Sequence, residues 1–286
     1  MEKLIQFCNK EALYDGPFNG KVGWHAAGMG YLLVTENGRL IVIDGGNYND
    51  TEEFLSLLEQ NAEGKPVVDL WVITHAHSDH FGVIDNIAKT PELRERVEVK
   101  EILWRFPNEF VEGNGNTPHP NANAMMERIC QSFGAAAHCP ELDEKLTVDS
   151  MELHFLYYAY DCRIINHSFN VNACSLIFTV QAQNKKILFT GDAVTRNLQV
   201  VTWLYRKKLK CDILQLPHHA LCDTGLLDFY KEVDAAIVLE PTCIAGYRAM
   251  HGELYRNAER ARFNAWAEEN AAKVYKSFEG TKEIVL

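Results

Sequence analysis

Two kinds of hydrophobic pattern follow each other along the chain. Short runs of branched and aromatic residues predict strands, and apolar residues spaced three or four apart predict helices. The dipeptide Asn37-Gly38 between the runs YLLV and LIVID predicts a hairpin. The segment TEEFLSLLEQNAEG, which begins at Thr51, predicts an amphipathic helix that ends at Gly64. The unbroken run VVDLWVI predicts a strand that is covered on both faces.

The second half of the chain repeats this organisation. KLTVDSMELHFLYYAY predicts two strands joined at Asp149-Ser150, and CSLIFTVQAQNKKILFTGD predicts a hairpin with its turn at Gln183-Asn184. Helical segments flank the predicted strands DILQLPHH and AAIVLEP, and KVYKSF and KEIVL are predicted as a final strand pair. Hairpin-rich sheets with covering helices indicate an α+β fold in which two sheets pack between helices. Because no linker or low-complexity tract interrupts the pattern, we expect a single domain over residues 1–286.

Composition narrows the class of protein. The chain has 286 residues, of which 47% are hydrophobic and 23% charged, as in an ordinary globular protein. A net charge of −11 argues against a protein that coats nucleic acid, so no obligate nucleic-acid partner is predicted. No apolar run approaches the roughly 18 to 20 residues of a membrane span, and the N-terminus does not read as a signal peptide. Eight cysteines without a CxxC pair read as free thiols, which predicts a cytoplasmic protein. The oligomeric state stays open.

The most informative stretch is THAHSDH, which directly follows the apolar run WVI. It contains His75, His77, Asp79 and His80 within six residues. Crowded imidazoles repel when charged and need partners when buried, so such a cluster requires a compensating ligand. Two nearby clusters of nitrogen and oxygen donors suit a pair of divalent metal ions, zinc first, with manganese or iron as alternatives.

Further candidate ligands stand at the ends of other predicted strands. Asp192 follows KILFTG, and the pair His218-His219 follows DILQLP. A carboxylate such as Asp192 is chemically suited to bridge two cations. Asp44, at the end of LIVID, is better read as a group that orients a ligand histidine by accepting its hydrogen bond.

The order xIDGG, THxHxDH, FTGDA and LPHH resembles the metallo-β-lactamase superfamily, and the likeness extends from Gly28 to the C-terminus. The resemblance implies the four-layer αββα sandwich of that superfamily. Finer features resemble the hydrolase-like domain of bacterial competence DNA-uptake channel proteins. These features are His218-His219, the stretch from Asn172 to Phe178 (NACSLIF), and the ending KVYKSFEGTKEIVL.

The resemblance also implies a ligand set. His75 and His77 would bind one metal, Asp79, His80 and His218 would bind the second, and Asp192 would bridge them. His219 is the alternative to His218. The superfamily usually supplies a third histidine to the first metal from a Pro-Gly-His segment, and here that region reads DCRIINHSFNVN. His167, Asn172 and Asn170 are the candidates for this position.

The chemistry implied is that of a dinuclear metal-dependent hydrolase in which a metal-bound hydroxide attacks the substrate. Asp79 would also take a proton, and the catalytic set would include His219, with Arg248 and His251 on the substrate side. The favoured substrate class is a phosphodiester or a nucleotide, because the planar fork of Arg248 suits a phosphate. One alternative is a carbonyl hydrolase that acts on a lactone, a thioester or a β-lactam. The other is a metal-binding or sensing domain with little catalysis.

Overall fold

The computed structural model describes residues 1–17, 27–107, 121–159, 171–221, 226–251 and 261–286. Two mixed sheets contain all the long strands of these ranges. The first sheet has the order β15 (Lys282–Val285), β1 (Lys3–Gln6), β2 (Gly30–Val34), β3 (Leu40–Asp44), β4 (Val67–Ile73), β6 (Glu101–Trp104) and β7 (Ala136–His138), and the short β5 (Glu98–Val99) pairs with β4. The second has the order β14 (Lys273–Lys276), β13 (Ile237–Glu240), β12 (Ile213–Gln215), β11 (Lys186–Phe189), β10 (Ile177–Gln181), β9 (Met151–Tyr157) and β8 (Lys145–Val148).

Helices cover the outer faces of both sheets. Those on the first sheet are α1 (Thr51–Gln60), α2 (Ser78–Lys89), the short α3 (Pro91–Arg94) and α4 (Ala122–Phe133). Those on the second are α5 (Thr195–Tyr205), α6 (Leu227–Val233) and α8 (Ala261–Asn270), and α7 (Ile244–His251) follows β13. Across the described ranges, no helix has both the length and the apolar character that crossing a membrane requires.

Three apolar layers hold these elements together. Between the sheets, the Phe189 ring packs against Tyr31 and Phe178 with ring centroids 5.3 and 5.4 Å apart. Outside the first sheet, Phe54 of α1 packs on Trp71 of β4. A third cluster joins the second sheet to α5 and α6. The predicted α+β fold with a four-layer αββα sandwich is confirmed.

The hairpin predicted at Asn37-Gly38 forms, since β2 and β3 pair antiparallel. The predicted pairing of KVYKSF with KEIVL is wrong. β14 instead pairs parallel with β13 in the second sheet, and β15 pairs antiparallel with β1 in the first. The two strands are separated by a short 3-10 turn at Ser277–Glu279 and by Gly280, which has a φ of 97°. Through this segment the chain passes from the second sheet to the first.

Parallel pairing brings the candidate ligands to one end of the sandwich. β3 and β4 are parallel in the first sheet, and β11, β12 and β13 are parallel in the second. The carboxyl ends of parallel strands meet at one edge of a sheet. The two edges also touch, because the Leu176 amide donates to the Thr74 carbonyl at 3.0 Å. Glycine is required at Gly82, where a Cβ would lie 2.6 Å from the Tyr48 nitrogen, and its absence lets α2 approach the loop after β3.

Candidate metal centre

The first donor group lies at the end of β4 and consists of His75, His77 and Asp192. His75 Nε2 is 2.9 Å from His77 Nδ1 and 3.7 Å from Asp192 Oδ2. Because His77 has extended backbone angles, it returns to the side of the chain that His75 occupies. The turn after β11 brings in Asp192 from the other sheet.

The second donor group consists of Asp79, His80, Asp192 and His219, of which the last three are buried. His80 Nε2 lies 3.3 Å from Asp192 Oδ1, and His219 Nε2 lies 3.3 Å from Asp192 Oδ2. Asp79 Oδ2 is 3.2 Å from His219 Nε2 and 3.8 Å from His80 Nε2. Asp192 therefore belongs to both groups, as expected for a carboxylate that bridges two cations.

Groups behind the ligands fix their orientation. The Asp44 carboxylate accepts hydrogen bonds from the Thr74 amide at 2.8 Å and the Thr74 hydroxyl at 2.9 Å, and it lies 2.7 Å from His80 Nδ1. On the other side of the group, His219 Nδ1 lies 3.0 Å from the Pro241 carbonyl oxygen. Each contact places the imidazole proton on Nδ1 and leaves Nε2 as the ligand atom. Asp44 therefore contacts a candidate ligand histidine, as its predicted orienting role requires.

Sequence reasoning missed Gln215, the last residue of β12. Its buried side-chain oxygen accepts hydrogen bonds from the amides of Thr190 and Gly191, both at 2.8 Å, and its Nε2 donates to the Gly191 carbonyl at 3.1 Å. These bonds fix the turn that presents Asp192. The available signal was a polar residue inside the apolar run DILQL, where an unpaired amide would cost free energy.

The donor side chains strongly perturb one another's pKa. Burial, reinforced by the charge of His80, holds the pKa of His75 well below its ordinary value. Burial also opposes charge on His80 and His219, yet the carboxylates of Asp192 and Asp79 help raise the pKa of His80 well above its ordinary value and that of His219 to about 10. Burial likewise opposes charge on the two carboxylates, but the neighbouring histidines keep their pKa low. Cation binding therefore has to displace protons held between these pairs.

The residues present fit a divalent cation. His80 Nε2, Asp192 Oδ1 and His219 Nε2 are fully buried, and their contacts of 3.2 to 3.3 Å within the described part of the chain are ionic and do not have hydrogen-bond geometry. Leaving three such atoms unsatisfied is costly in a protein interior. The donor atoms of the second group lie within 4.8 Å of one another, so one cation bound among them would account for all three. Imidazole and carboxylate donors suit zinc, iron and manganese.

The structure brings together most of the predicted ligands. It does not place His218 in the second donor group, where the family resemblance had assigned it. His219, rather than His218, stands in the second donor group. His218 Nε2 lies 3.0 Å from Asn172 Nδ2 and 4.0 Å from Asp192 Oδ2. Asn172 is buried. His167 and Asn170 lie outside the described residues.

Arg248 and His251, predicted on the substrate side, contact neither donor group in the ranges described. Arg248 is exposed and forms an ion pair with Asp15. His251 stacks on Tyr247 with ring centroids 4.0 Å apart, and its Nε2 lies 3.0 Å from Glu268 Oε1. Hydrogen bonding to Glu268 raises the pKa of His251. The phosphate-binding role predicted for Arg248 has no support from these contacts.

Comparisons with known proteins agree with this fold. The family model of the metallo-beta-lactamase superfamily matches residues 28–162. No curated protein sequence gives a significant match. Among solved structures, the chain is similar to Zn(2+)-bound PqqB from Methylobacterium extorquens (TM-score 0.58, 10% identity, all of both chains covered). It is also similar to Tm1679, described as a metal-dependent hydrolase of the beta-lactamase superfamily (TM-score 0.58, 12% identity, 100% of this chain and 99% of that one).

A third similar structure is CmlA, a diiron beta-hydroxylase from Streptomyces venezuelae (TM-score 0.55, 12% identity, 99% of this chain and 54% of that one). At these identities the three structures show a shared fold. Together with the family model, they establish that this chain has the metallo-β-lactamase superfamily fold.

Proposed function

We propose that this chain, which has the metallo-β-lactamase superfamily fold, is a hydrolase that uses two divalent metal ions. The observation that carries the proposal is the position of Asp192 between two donor groups. Its Oδ2 faces His75 from one group and His219 from the other, and its Oδ1 faces His80. A buried carboxylate shared in this way is suited to hold two cations close together.

The protein residues would divide the work between holding the ions and moving protons. Bound ions would supply a water of lowered pKa and would stabilise negative charge that develops on a substrate oxygen. Asp79 is 13% exposed at its side chain, whereas Asp192 is 2% exposed. Asp79 is therefore the carboxylate that can pass a proton to solvent, and Asp192 keeps the two sites together.

The favoured substrate class is a phosphodiester or a nucleotide. It rests on the resemblance of His218-His219 and of the C-terminal segment to the hydrolase-like domain of competence DNA-uptake channel proteins. Carbonyl hydrolysis of a lactone, a thioester or a β-lactam uses the same ionic chemistry and is the second candidate. Substrate choice in such folds resides in the loops around the site, so the assay has to cover both classes.

The test is a substrate screen on protein loaded with zinc, manganese or iron. We expect hydrolysis of bis-p-nitrophenyl phosphate or single-stranded DNA that a chelator abolishes and added metal restores. The double variant His77→Ala/Asp192→Ala removes one ligand of the first group and the shared carboxylate. Its matched control is His154→Ala/Asp143→Ala, which removes a surface ion pair of the same residue types at 3.2 Å.

If the parent chain hydrolyses the substrates no faster than the double variant does, the proposed hydrolase activity is ruled out. Turnover of nitrocefin or a homoserine lactone, without phosphodiester cleavage, would assign the carbonyl class. Metal analysis separates the remaining alternative. A single tightly held ion per chain, without turnover, would assign a metal-binding or sensing domain.

A further inference from the structure

We propose that the C-terminal end of α5 is a contact site for a membrane surface that contains anionic lipids. The site, here called the α5 patch, consists of three exposed apolar side chains and three exposed cations: Leu142, Trp203, Leu204, Arg206, Lys207 and Lys208. This surface is separate from the metal centre, and a role for it goes beyond the function proposed above.

The last turn of α5 exposes large apolar side chains, although the opposite face of the helix is anchored in the core. Leu198 and Val201 are fully buried in the cluster that joins α5 to the second sheet. Trp203 is 71% exposed, which only the terminal Met1 exceeds among the large apolar side chains that the structure describes, and Leu204 is 48% exposed. Adjacent exposed apolar side chains of this size indicate a surface that a partner covers.

A third apolar side chain reaches the same region from the loop before β8. Leu142 is 51% exposed, and the next residue, Asp143, accepts a hydrogen bond from the Tyr205 hydroxyl at 3.0 Å. Tyr205 is the last residue of α5 and follows Leu204 directly. The hydrogen bond therefore holds the two exposed apolar segments beside each other.

Cations follow the apolar residues directly along the chain. Arg206, Lys207 and Lys208 are exposed, and none of the three forms an ion pair within the part of the chain that the structure describes. Lys210, by contrast, pairs with Asp234 at 2.8 Å. Three consecutive cations without acidic partners make this part of the surface positive, although the whole chain has a net charge of −11.

The backbone fixes these cations at the surface. Arg206 has a φ of 43°, which residues other than glycine rarely adopt, and it ends α5. In the short 3-10 turn that follows, Leu209 is fully buried, and the Lys186 ammonium donates to the Lys208 carbonyl at 2.7 Å. The turn is held from below, and its three cationic side chains remain in solvent.

The mixture of aliphatic, aromatic and cationic side chains favours a lipid surface over single-stranded nucleic acid. Bases stack on aromatic rings, and neither Leu142 nor Leu204 offers one. Tryptophan and leucine both enter the boundary between lipid headgroups and acyl chains, and neighbouring lysines and arginines attract anionic headgroups. A chain of negative net charge approaches an anionic surface only where a local group of cations faces it. Such a contact needs no spanning helix.

The α5 patch and the metal centre lie at opposite ends of one helix. α5 begins at Thr195, shortly after Asp192, and its 11 residues correspond to a length of about 16 Å. A membrane contact at the C-terminal end of α5 would therefore leave the metal centre uncovered. Membrane binding and turnover can then be measured independently of each other.

Vesicle binding by the full chain tests the proposal. The probes are phosphatidylcholine vesicles with and without phosphatidylserine, and sedimentation of the vesicles measures the bound fraction. The patch variants are Leu204→Ser and Lys207→Gln/Lys208→Gln. Vesicles of brominated lipid provide a second measurement, because their quenching of tryptophan fluorescence should be smaller in Trp203→Phe than in the parent chain.

Each patch variant has a matched control elsewhere on the surface. Leu13→Ser replaces another leucine at the end of a short helix, where it is 58% exposed. Lys65→Gln/Lys100→Gln removes two exposed lysines beside the first sheet. Because all these positions are exposed, the variants should melt like the parent chain.

We expect the parent chain to bind vesicles that contain phosphatidylserine, not to bind phosphatidylcholine alone, and to bind more weakly as salt is added. Lys207→Gln/Lys208→Gln should lower the affinity about 25-fold, because each cation near an anionic surface contributes about fivefold. Leu204→Ser should lower it about threefold or more. Both controls should bind like the parent chain.

Absence of vesicle binding, or equal binding by the patch variants and their controls, would overturn the proposal. Two further measurements identify the occupant in that case. Binding of a labelled deoxythymidine oligomer that the patch variants weaken would assign the patch to single-stranded nucleic acid. A dimer in sedimentation velocity that the patch variants dissociate would assign it to a second copy of the chain.

Discussion

The two donor groups share Asp192 but differ in how the fold supports their histidines. In the second group, His80 Nδ1 lies 2.7 Å from the carboxylate of Asp44, and His219 Nδ1 lies 3.0 Å from a backbone carbonyl. In the first group, His75 Nδ1 lies 3.2 Å from the neutral hydroxyl of Thr74. A carboxylate behind an imidazole both orients it and makes it a stronger ligand. We therefore expect the second group to bind its ion more tightly.

Stepwise removal of metal from the parent chain tests this difference directly. A chelator should first remove the ion of the first donor group. The chain should then resemble the variant His77→Ala, which lacks a ligand of that group. If the ion assigned to His219 leaves first, the ranking of the two groups is reversed.

The largest effect is expected from Asp192→Asn, because this substitution removes the charge that both groups share. Both ions should be lost on dialysis, whereas the fold should persist because asparagine has nearly the same shape. Metal analysis with a melting curve measures both outcomes. Asp69→Asn is the matched control, since Asp69 is a carboxylate of β4 that pairs with Arg39 and Lys100 at the surface. Retention of one ion at parental affinity would show that the two groups are independent.

Gln215→Leu should weaken both groups through the turn that carries Asp192. The substitution leaves the buried amides of Thr190 and Gly191 without their acceptor. We expect a loss of about 2 to 4 kcal/mol in the free energy of unfolding. Denaturant unfolding in the presence of metal measures it. Gln181→Leu, at an exposed end of β10, is the control. A cost below that of the control would mean that the turn does not depend on this side chain.

Asp44→Asn should act on the second group alone. Asparagine cannot provide a charged acceptor for both Thr74 and His80. The His80 ring should therefore be held less firmly, and its basicity should fall. We expect the affinity of one ion to fall about 10- to 100-fold, with the other ion unchanged. Competition with a coloured chelator measures both constants. Equal weakening of the two ions would contradict the assignment of Asp44 to the second group.

The smallest effect on the centre is expected from Glu240→Gln, although it should change stability. Glu240 is buried at the end of β13, next to Pro241, which contacts His219. Burial is the main cause that raises its pKa to about 8. The negative charges of Glu268 and Glu279 also raise this pKa, whereas the positive charges of His251 and Lys276 lower it. A carboxyl whose folded pKa exceeds its unfolded value costs stability as pH rises from the unfolded value toward the folded one.

The parent chain should therefore lose roughly 2 kcal/mol of stability between pH 5 and pH 7, and Glu240→Gln should remove most of that slope. Urea unfolding at the two pH values provides the measurement. Metal affinity should stay within about twofold, because Glu240 is not a member of either donor group. Parallel pH profiles for the two chains would show that another group is responsible.

Much of the fold was predictable because its signals are local. The Asn37-Gly38 turn and the covered strand before THAHSDH depend on residues next to each other in sequence, and both predictions are confirmed. The pairing of the last two strands was not predictable in the same way. β14 and β15 are neighbours along the chain, but their partners are β13 and β1, and such distant pairing leaves no local pattern.

The sequence alone determined that imidazole and carboxylate donors would gather after several strands, since THAHSDH, Asp192 and His218-His219 all follow apolar runs. Only the tertiary structure decided which donor serves which group. It placed His219 rather than His218 in the second donor group, through three consecutive residues with positive φ. It also revealed Gln215 as the side chain that holds the Asp192 turn. These choices depend on hydrogen bonds between segments that are remote in sequence, and residue types and spacing do not encode such bonds.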